Sequence, residues 1–273
     1  MPDYVPVRSR IQALLDQGFA KPEVFINLAY RCASTFRATD YRGGCNGARI
    51  RFEPESSWPT NVGTSDSLAL LNSIQQQYNN VSYADLIALA GLTSLASMNS
   101  KHNLTFCGGA VDATDGNGSD ILAPRVYSMP NITVTDDFQV KGLTPEQGVA
   151  MASRMNVSSQ YYVNLAAAGA NGGGNFTADE LALLTGDLRA IVDSFAADEA
   201  LLLTTFDTAW AYLMTADRFL NNRENACTGV DTPTQAEKNT AASIGNSTVK
   251  SAGTPFTPSL LSAVGAFGLA LLL

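Results

Sequence analysis

Residues 81–91 read Val-Ser-Tyr-Ala-Asp-Leu-Ile-Ala-Leu-Ala-Gly, and the run continues as Leu-Thr-Ser-Leu-Ala-Ser to residue 97. Ser82 is a favoured residue for capping the start of a helix. The stretch that follows it is apolar on nearly every side of a helix, so no face is suited to water. We therefore predict a helical protein in which this stretch is a central, buried helix.

The rest of the chain reads as further helices joined by irregular segments. Apolar residues recur at helical spacing, or follow residues that favour a helix start, in several places. The predicted helices are Val7–Gly18, Glu23–Phe36, Ser65–Tyr78 capped by Ser65, a helix opening at Thr144-Pro145, one from Thr177, one from Asp187 toward Phe195, and Glu199–Arg218. The predicted irregular segments are Thr39–Gly47 and Asn99–Asp137.

Composition limits the classes of function. The chain has 273 residues, of which 45% are hydrophobic and 15% charged, as expected for a globular protein. A net charge of −8 without a Lys/Arg run argues against nucleic acid or anionic lipid as a partner. His102 is the one histidine, so a metal site with two histidine ligands is impossible within one chain.

The C-terminal residues resemble a lipid-attachment signal. Residues 260–273 are uncharged and apolar but shorter than the roughly 20 residues that span a bilayer. A spacer at 254–259 and the small residues Ser251, Ala252 and Gly253 precede this tail, within a Thr/Ser/Pro-rich linker at 228–259. This order predicts a glycosylphosphatidylinositol (GPI) anchor with removal of the tail. The alternative is an apolar helix that packs on the domain.

Glycosylation sequons agree with exposure outside the cell. Seven asparagines lie two residues before Ser or Thr with no intervening Pro: Asn80, Asn103, Asn117, Asn131, Asn156, Asn175 and Asn246. Glycosylation and lipid attachment both require the secretory pathway, whereas Met1 is followed by no signal peptide. We therefore expect an extracellular, cell-surface protein whose natural start lies upstream, and whose contact with the membrane is through the lipid anchor alone.

The four cysteines, Cys32, Cys45, Cys107 and Cys227, form no CxxC pair, which argues against structural zinc. In an oxidising compartment they suggest two disulfides with three possible connectivities. We favour a local Cys32–Cys45 bond and a Cys107–Cys227 bond.

Several stretches, in the same order along the chain, resemble the plant, fungal and bacterial haem peroxidase superfamily. The resemblance is to its class I members, which include ascorbate peroxidase, cytochrome c peroxidase and catalase-peroxidase, and to hybrid fungal forms. They are residues 25–36 (FINLAYRCASTF), 42–52 (RGGCNGARIRF), 58–61 (WPTN), 81–91, 106–107, 111–113, 142–145 (GLTP), 195–198 (FAAD) and 216–219 (ADRF). The resemblance covers roughly residues 5–227, within a predicted domain at residues 1–227. It implies an all-α, two-lobed fold of about ten helices that holds haem b between a distal and a proximal helix.

The resemblance also shows which catalytic groups are missing. A distal histidine moves the proton of hydrogen peroxide, and a distal arginine stabilises the charge that develops as the O–O bond breaks. Here Arg31 stands at the histidine position and Asn27 at the arginine position, with Tyr30 as the distal aromatic residue and Asn61 at the position that supports the histidine. An arginine stays protonated and cannot act as the base.

The proximal positions are substituted as well. Met155 stands at the axial histidine position, and is either a weak thioether ligand to haem iron or packing. Asp198 matches the proximal aspartate, and is either a helix N-terminal charge or a remnant of the pocket. The connection from Met155 to Tyr161 is shorter than in catalytic relatives. His102 is expected to be an exposed loop residue.

Two functions remain open. One is a degenerate peroxidase that acts as a binding or structural ectodomain, with or without the haem that the resemblance implies, and with an unidentified surface partner or small ligand. The other is a haem-dependent enzyme that reduces hydrogen peroxide, as in a response to oxidative stress, with non-standard residues in its active site.

Overall fold

The computed structural model describes residues 2–122, 133–171 and 174–217. All of these lie in the first of two compact units, Met1–Thr232. The predicted linker at 228–259, with its attachment residues 251–253, and the tail at 260–273 lie outside the described residues.

The described residues form ten α-helices and no named strand, which confirms the all-α class. Their bounds are α1 Val5–Asp16, α2 Pro22–Ala33, α3 Thr64–Gln77, α4 Tyr83–Met98, α5 Val134–Lys141, α6 Pro145–Ala152, α7 Ser159–Ala170, α8 Ala178–Ala182, α9 Leu188–Ala197 and α10 Glu199–Thr215. Short 3-10 turns at Arg49–Arg51, Glu55–Ser57, Pro59–Asn61 and Asp120–Leu122 interrupt the connections. None of the described helices is both long enough and apolar enough to cross a bilayer.

Two predictions about the helices need correction, and one helix was not predicted. Ser65 does not cap α3, because the helix already begins at Thr64 after Gly63, whose φ of 86° is accessible to glycine without strain. Helix α5 begins inside the segment predicted to be irregular, because Thr133 and Asp136 form a capping box at its start. Helix α7 was not predicted at all.

Helix α4 is the centre of the core, as predicted. Ser82 caps it by accepting a hydrogen bond from the Asp85 backbone N–H at 3.1 Å. The buried Asp85 carboxylate accepts hydrogen bonds from the Tyr4 hydroxyl at 2.6 Å and from the Gly109 and Ala110 N–H groups at 2.9 and 3.0 Å. This charge therefore fixes the N-terminal segment and the loop around residue 109 to the start of α4.

The packing of α2 on α4 requires a glycine. A Cβ atom added to Gly91 would lie 2.5 Å from the Ala29 Cβ on α2 and 2.9 Å from the Trp210 ring on α10. Atoms this close would overlap, so the three helices can approach one another only because Gly91 has no side chain.

The favoured disulfides are present as far as the described residues extend. Cys32 and Cys45 form a disulfide that joins the end of α2 to the loop after it. Cys107 is disulfide-bonded too, and its predicted partner, Cys227, lies outside the described residues.

We predict that Gly91→Ala lowers the free energy of unfolding by about 1–3 kcal/mol, because overpacking displaces Ala29 or Trp210. Gly169→Ala on α7 is the matched control. Its added Cβ would meet only the Leu184 side-chain end, which can rotate away. Urea unfolding followed by circular dichroism measures both, and equal effects of the two substitutions would contradict the role given to Gly91.

Candidate functional site

A cavity of about 400 Å³ lies between α2 on one side and α5, α6 and α8 on the other. This volume is in the range of sites for small molecules. Tyr30, Arg31 and Asn61, three of the residues predicted for a distal site, line the cavity. The structure therefore brings these three together in one place.

The predicted distal residues have different environments. Asn61 is 3% exposed, and its Nδ2 donates a hydrogen bond to the Glu55 carbonyl oxygen at 2.8 Å. Tyr30 and Arg31 lie at the C-terminal end of α2, with their side chains on the cavity wall. Asn27, one turn earlier, is half-buried and is absent from the wall.

The cavity wall also carries Arg154, a residue that the sequence analysis did not single out. The Arg154 guanidinium carbon lies 4.2 Å from the centre of the Tyr30 ring, a cation–π contact between two residues of the wall. Its Nη1 donates to the Met151 carbonyl oxygen at 3.3 Å. Its Nε is buried and has no hydrogen-bond partner within the described residues. Arg154 thus joins the proximal side of the cavity to the distal helix directly.

Met155 does not have the position predicted for an axial ligand. Helix α6 ends at Ala152, and the chain then turns, with the Ser153 hydroxyl donating to the Ala150 carbonyl oxygen at 2.9 Å. This turn directs Arg154 to the cavity, while Met155 is 39% exposed and absent from the wall. A thioether ligand at this residue is therefore not supported.

Asp198 acts at the start of a helix. Its Oδ1 accepts hydrogen bonds from the Ala200 and Leu201 N–H groups at 2.9 and 3.0 Å, which caps α10. Asp198 is absent from the cavity wall. Of the two interpretations of this residue, the geometry agrees with the helix N-terminal charge.

The connection after Met155 leads into α7, whose Tyr162 contacts the last turns of α6. The buried Tyr162 hydroxyl donates to the Val149 and Ala150 carbonyl oxygens at 2.7 and 3.1 Å. Its ring packs edge-on against Phe195 of α9, with 5.3 Å between the ring centres. An aromatic side chain from α7 therefore fills the space under the end of α6.

Tyr161, the neighbouring tyrosine, is part of a polar cluster at the cavity. Its hydroxyl donates to Glu180 Oε1 at 2.7 Å, while Thr177 donates to Oε2 through its N–H and hydroxyl, both at 2.8 Å. Burial favours a higher pKa for Glu180, but these hydrogen bonds and the Arg154 charge together hold that pKa below its ordinary value. Burial, with the nearby carboxylate, raises the pKa of Tyr161.

The prediction that His102 is an exposed loop residue is wrong. The residue is 3% exposed, and its Nδ1 lies 2.6 Å from Asp207 Oδ1 on α10. The other oxygen of Asp207 accepts a hydrogen bond from the Asn103 N–H at 2.7 Å. This carboxylate holds the loop against α10. The spacing of residues in the sequence does not reveal such a long-range contact. His102 borders a separate cavity of about 190 Å³.

The described residues do not fit haem held as the resemblance implies. A porphyrin between Tyr30 and Arg154 needs about 7 Å, two optimal contact distances, whereas these side chains are 4.2 Å apart. Among the described residues that line the cavity there is no histidine or cysteine. Met151 and Tyr30 are of ligating types, but Met151 is 2% exposed and one face of Tyr30 is covered by Arg154. No cluster of potential metal ligands occurs in the part of the chain that the structure describes.

Comparisons with known proteins agree with this fold. The family model described as peroxidase matches residues 7–155, and the chain belongs to this family. It is 35% identical to a catalase-peroxidase of Emericella nidulans over 55% of this chain and 24% of that protein. It is 30% identical to a catalase-peroxidase of Rhodococcus jostii over 85% of this chain and 31% of that protein. The chain therefore matches about a quarter to a third of the length of these relatives.

We predict that Tyr161→Phe raises the pKa of Glu180 toward its ordinary value of 4.5, because one hydrogen bond to the carboxylate is lost. A carboxyl group with a lowered pKa adds stability above its ordinary pKa, and that stability is lost as pH falls through the lowered value. The loss of stability between about pH 7 and pH 3.5 should therefore be smaller in the variant.

Carboxyl titration by NMR and urea unfolding at both pH values measure these effects. Tyr83→Phe, which removes a hydroxyl bonded to Asn72 on α3, is the control and should leave the pKa of Glu180 unchanged. An unchanged pKa of Glu180 in Tyr161→Phe would refute the coupling.

Proposed function

We propose that this chain is a catalytically degenerate member of the peroxidase family that acts as a binding or structural ectodomain. The contact of Arg154 with Tyr30 supports this proposal most directly, because a porphyrin cannot lie between these two side chains while they touch. A fold by itself does not establish an activity, so the proposal depends on the residues of this cavity.

The chemistry of the cavity wall supports the same proposal. Peroxide cleavage needs a base that takes a proton and later returns it. Arg31 lies where the resemblance places that base, and a guanidinium group holds its proton at all physiological pH values. Asn27, at the position of the stabilising cation, is uncharged and is not among the described residues that line the cavity.

The alternative is a haem-dependent peroxidase with non-standard residues in its active site. Membership of the peroxidase family and the similarity to catalase-peroxidases support it. It requires Arg154 to leave Tyr30 and a ligating atom to reach the cavity. We therefore prefer the degenerate protein.

We predict that the purified full chain, mixed with haemin, shows no strong Soret band of bound haem and no haem-dependent oxidation of guaiacol or ascorbate by peroxide. The physical reasons are the contact of Arg154 with Tyr30 and the absence of an axial ligand from the described wall. Met155→His should not restore binding on its own, because this position is exposed and outside the cavity wall. A catalase-peroxidase treated in parallel is the positive control, and peroxide turnover by the unmodified chain would overturn the proposal.

We also propose that the protein is displayed outside the cell as a GPI-anchored glycoprotein. Each sequon asparagine in the described residues is exposed and lies outside the helices: Asn80, Asn103, Asn117, Asn156 and Asn175. Glycan acceptors in secreted proteins lie in such surface loops. The disulfides at Cys32–Cys45 and at Cys107 suit an oxidising compartment. Asn131 and Asn246 lie outside the described residues.

We predict that, with a secretion signal placed upstream, phospholipase C specific for phosphatidylinositol releases the protein from intact cells. Removal of N-glycans should increase its gel mobility. Leu269→Asp places a charge in the apolar tail and is the matched control, since it should prevent attachment without altering the described domain. A cell-bound population that resists the phospholipase and retains Leu273 would contradict the anchor.

A further inference from the structure

We propose that the cavity between α2 and α6 binds a small aromatic monocarboxylate, with Arg154 as the residue that binds its carboxylate. This inference rests on the proposed function, because it requires the cavity to be free of haem. It names the class of ligand that a binding protein of this kind would take.

The first step concerns the charge of Arg154. Its guanidinium makes one hydrogen bond within the described residues, to the Met151 carbonyl oxygen, and no ion pair within 4 Å. Its Nε is buried without a hydrogen-bond partner there. A partly buried cation is normally balanced by a carboxylate, and the arginine fork matches a carboxylate in shape. A ligand carboxylate would supply the missing partner.

The nearby acidic groups of the protein are already engaged. Glu180 accepts three hydrogen bonds, one from Tyr161 and two from Thr177. Asp137 forms a 2.5 Å ion pair with Lys141 on the same helix. Glu180 is near enough for the Arg154 charge to lower its pKa, but its hydrogen bonds come from other donors, and the arginine rests on an aromatic face.

The second step concerns the apolar part of the ligand. Tyr30, Trp58 and Phe138 contribute three aromatic side chains to the wall. Phe138 is held against α6, since a Cβ atom added to Gly148 would lie 2.2 Å from its ring. Planar rings stack on or pack edge-on against such side chains, and an aromatic ligand gains more there than a flexible chain does. A volume of about 400 Å³ has room for one or two rings.

The third step limits the charge of the ligand. Asp137, Asp179 and Glu180 also lie on the wall. The wall sets these three carboxylates against three cations, Arg31, Lys141 and Arg154, so it has no excess positive charge to favour phosphates or dicarboxylates. A single carboxylate directed at Arg154 satisfies both constraints.

The experiment uses the full chain and 3-phenylpropanoate as the probe, titrated by calorimetry in a low-salt buffer near neutral pH. We expect saturable binding with a dissociation constant in the micromolar to low millimolar range. The uncharged amide, 3-phenylpropanamide, should bind at least about tenfold more weakly, because a charge-assisted hydrogen bond is replaced by a neutral one. Added salt should weaken the binding of the acid more than that of the amide.

Two variants locate the site. Arg154→Gln keeps much of the side-chain length but removes the charge, and should weaken binding of the acid by at least about tenfold, with little effect on the amide. Arg189→Gln is the matched control, because Arg189 is exposed, pairs with Asp193 on α9 and does not line the cavity. It should change the dissociation constant by less than about twofold. Arg154→Lys, which keeps the charge, should bind with intermediate affinity, and thermal unfolding checks that each variant is folded.

The outcomes separate this inference from the proposed function. Absence of binding to the unmodified, haem-free chain at about 10 mM probe, or equal affinity in folded Arg154→Gln, overturns the ligand inference and leaves the degenerate peroxidase standing. A Soret band with peroxide turnover overturns the proposed function whatever the calorimetry shows. Binding that requires Arg154 in a chain without a Soret band supports both.

Discussion

The close approach of α2 to α4 at Gly91 is the constraint on which the cavity depends. Ala29 of α2 and Trp210 of α10 both lie where a side chain at residue 91 would be. Ala29 immediately precedes Tyr30 and lies one turn of helix from the end of α2, so this packing sets where the distal wall lies. The wall is therefore positioned by the core of the domain, independently of any group bound in the cavity.

The end of α6 determines which residue of that part of the chain reaches Tyr30. A short connection brings α7 under α6, where the Tyr162 hydroxyl bonds to two carbonyl groups near the end of the helix. Helix α6 ends at Ala152, and Arg154 then reaches Tyr30. The turn after α6 is thus enough to bring an arginine into contact with the ring of Tyr30 on α2.

The sequence predicted those parts of the fold that local rules determine. Ser82, Thr144 and Thr177 cap α4, α6 and α8 as expected, because a capping side chain bonds to the backbone three residues away. Helix α7 could not be predicted because its C-terminal half is rich in alanine and glycine. No alternation of polar and apolar residues there marks a buried face. Its place is determined by tertiary contacts such as the one between Tyr161 and Glu180.

The candidate site was predictable only where its residues keep regular helical positions. Tyr30 and Arg31 lie on the wall as alignment with the family motif implies. Arg154, rather than the expected Met155, lies on the wall, because the family pattern counts residues along a helix that here stops at Ala152. His102 was misjudged for a related reason, since Asp207, its partner, lies 105 residues away in sequence.

The polar groups that remain in the cavity are informative because burying them is unfavourable. Side chains that serve no further purpose could be replaced by apolar residues of similar volume at little loss of stability. The wall instead keeps Arg31, Lys141 and Arg154 together with Asp137, Asp179 and Glu180. Structural ion pairing accounts for Lys141 with Asp137, and helix capping accounts for Glu180. Arg154 lowers the pKa of Glu180 but forms no hydrogen bond with it; the guanidinium faces an aromatic ring, and its Nε has no hydrogen-bond partner in the described residues. A cation kept in this state is more consistent with a pocket that receives an anionic group from outside than with one closed by packing alone.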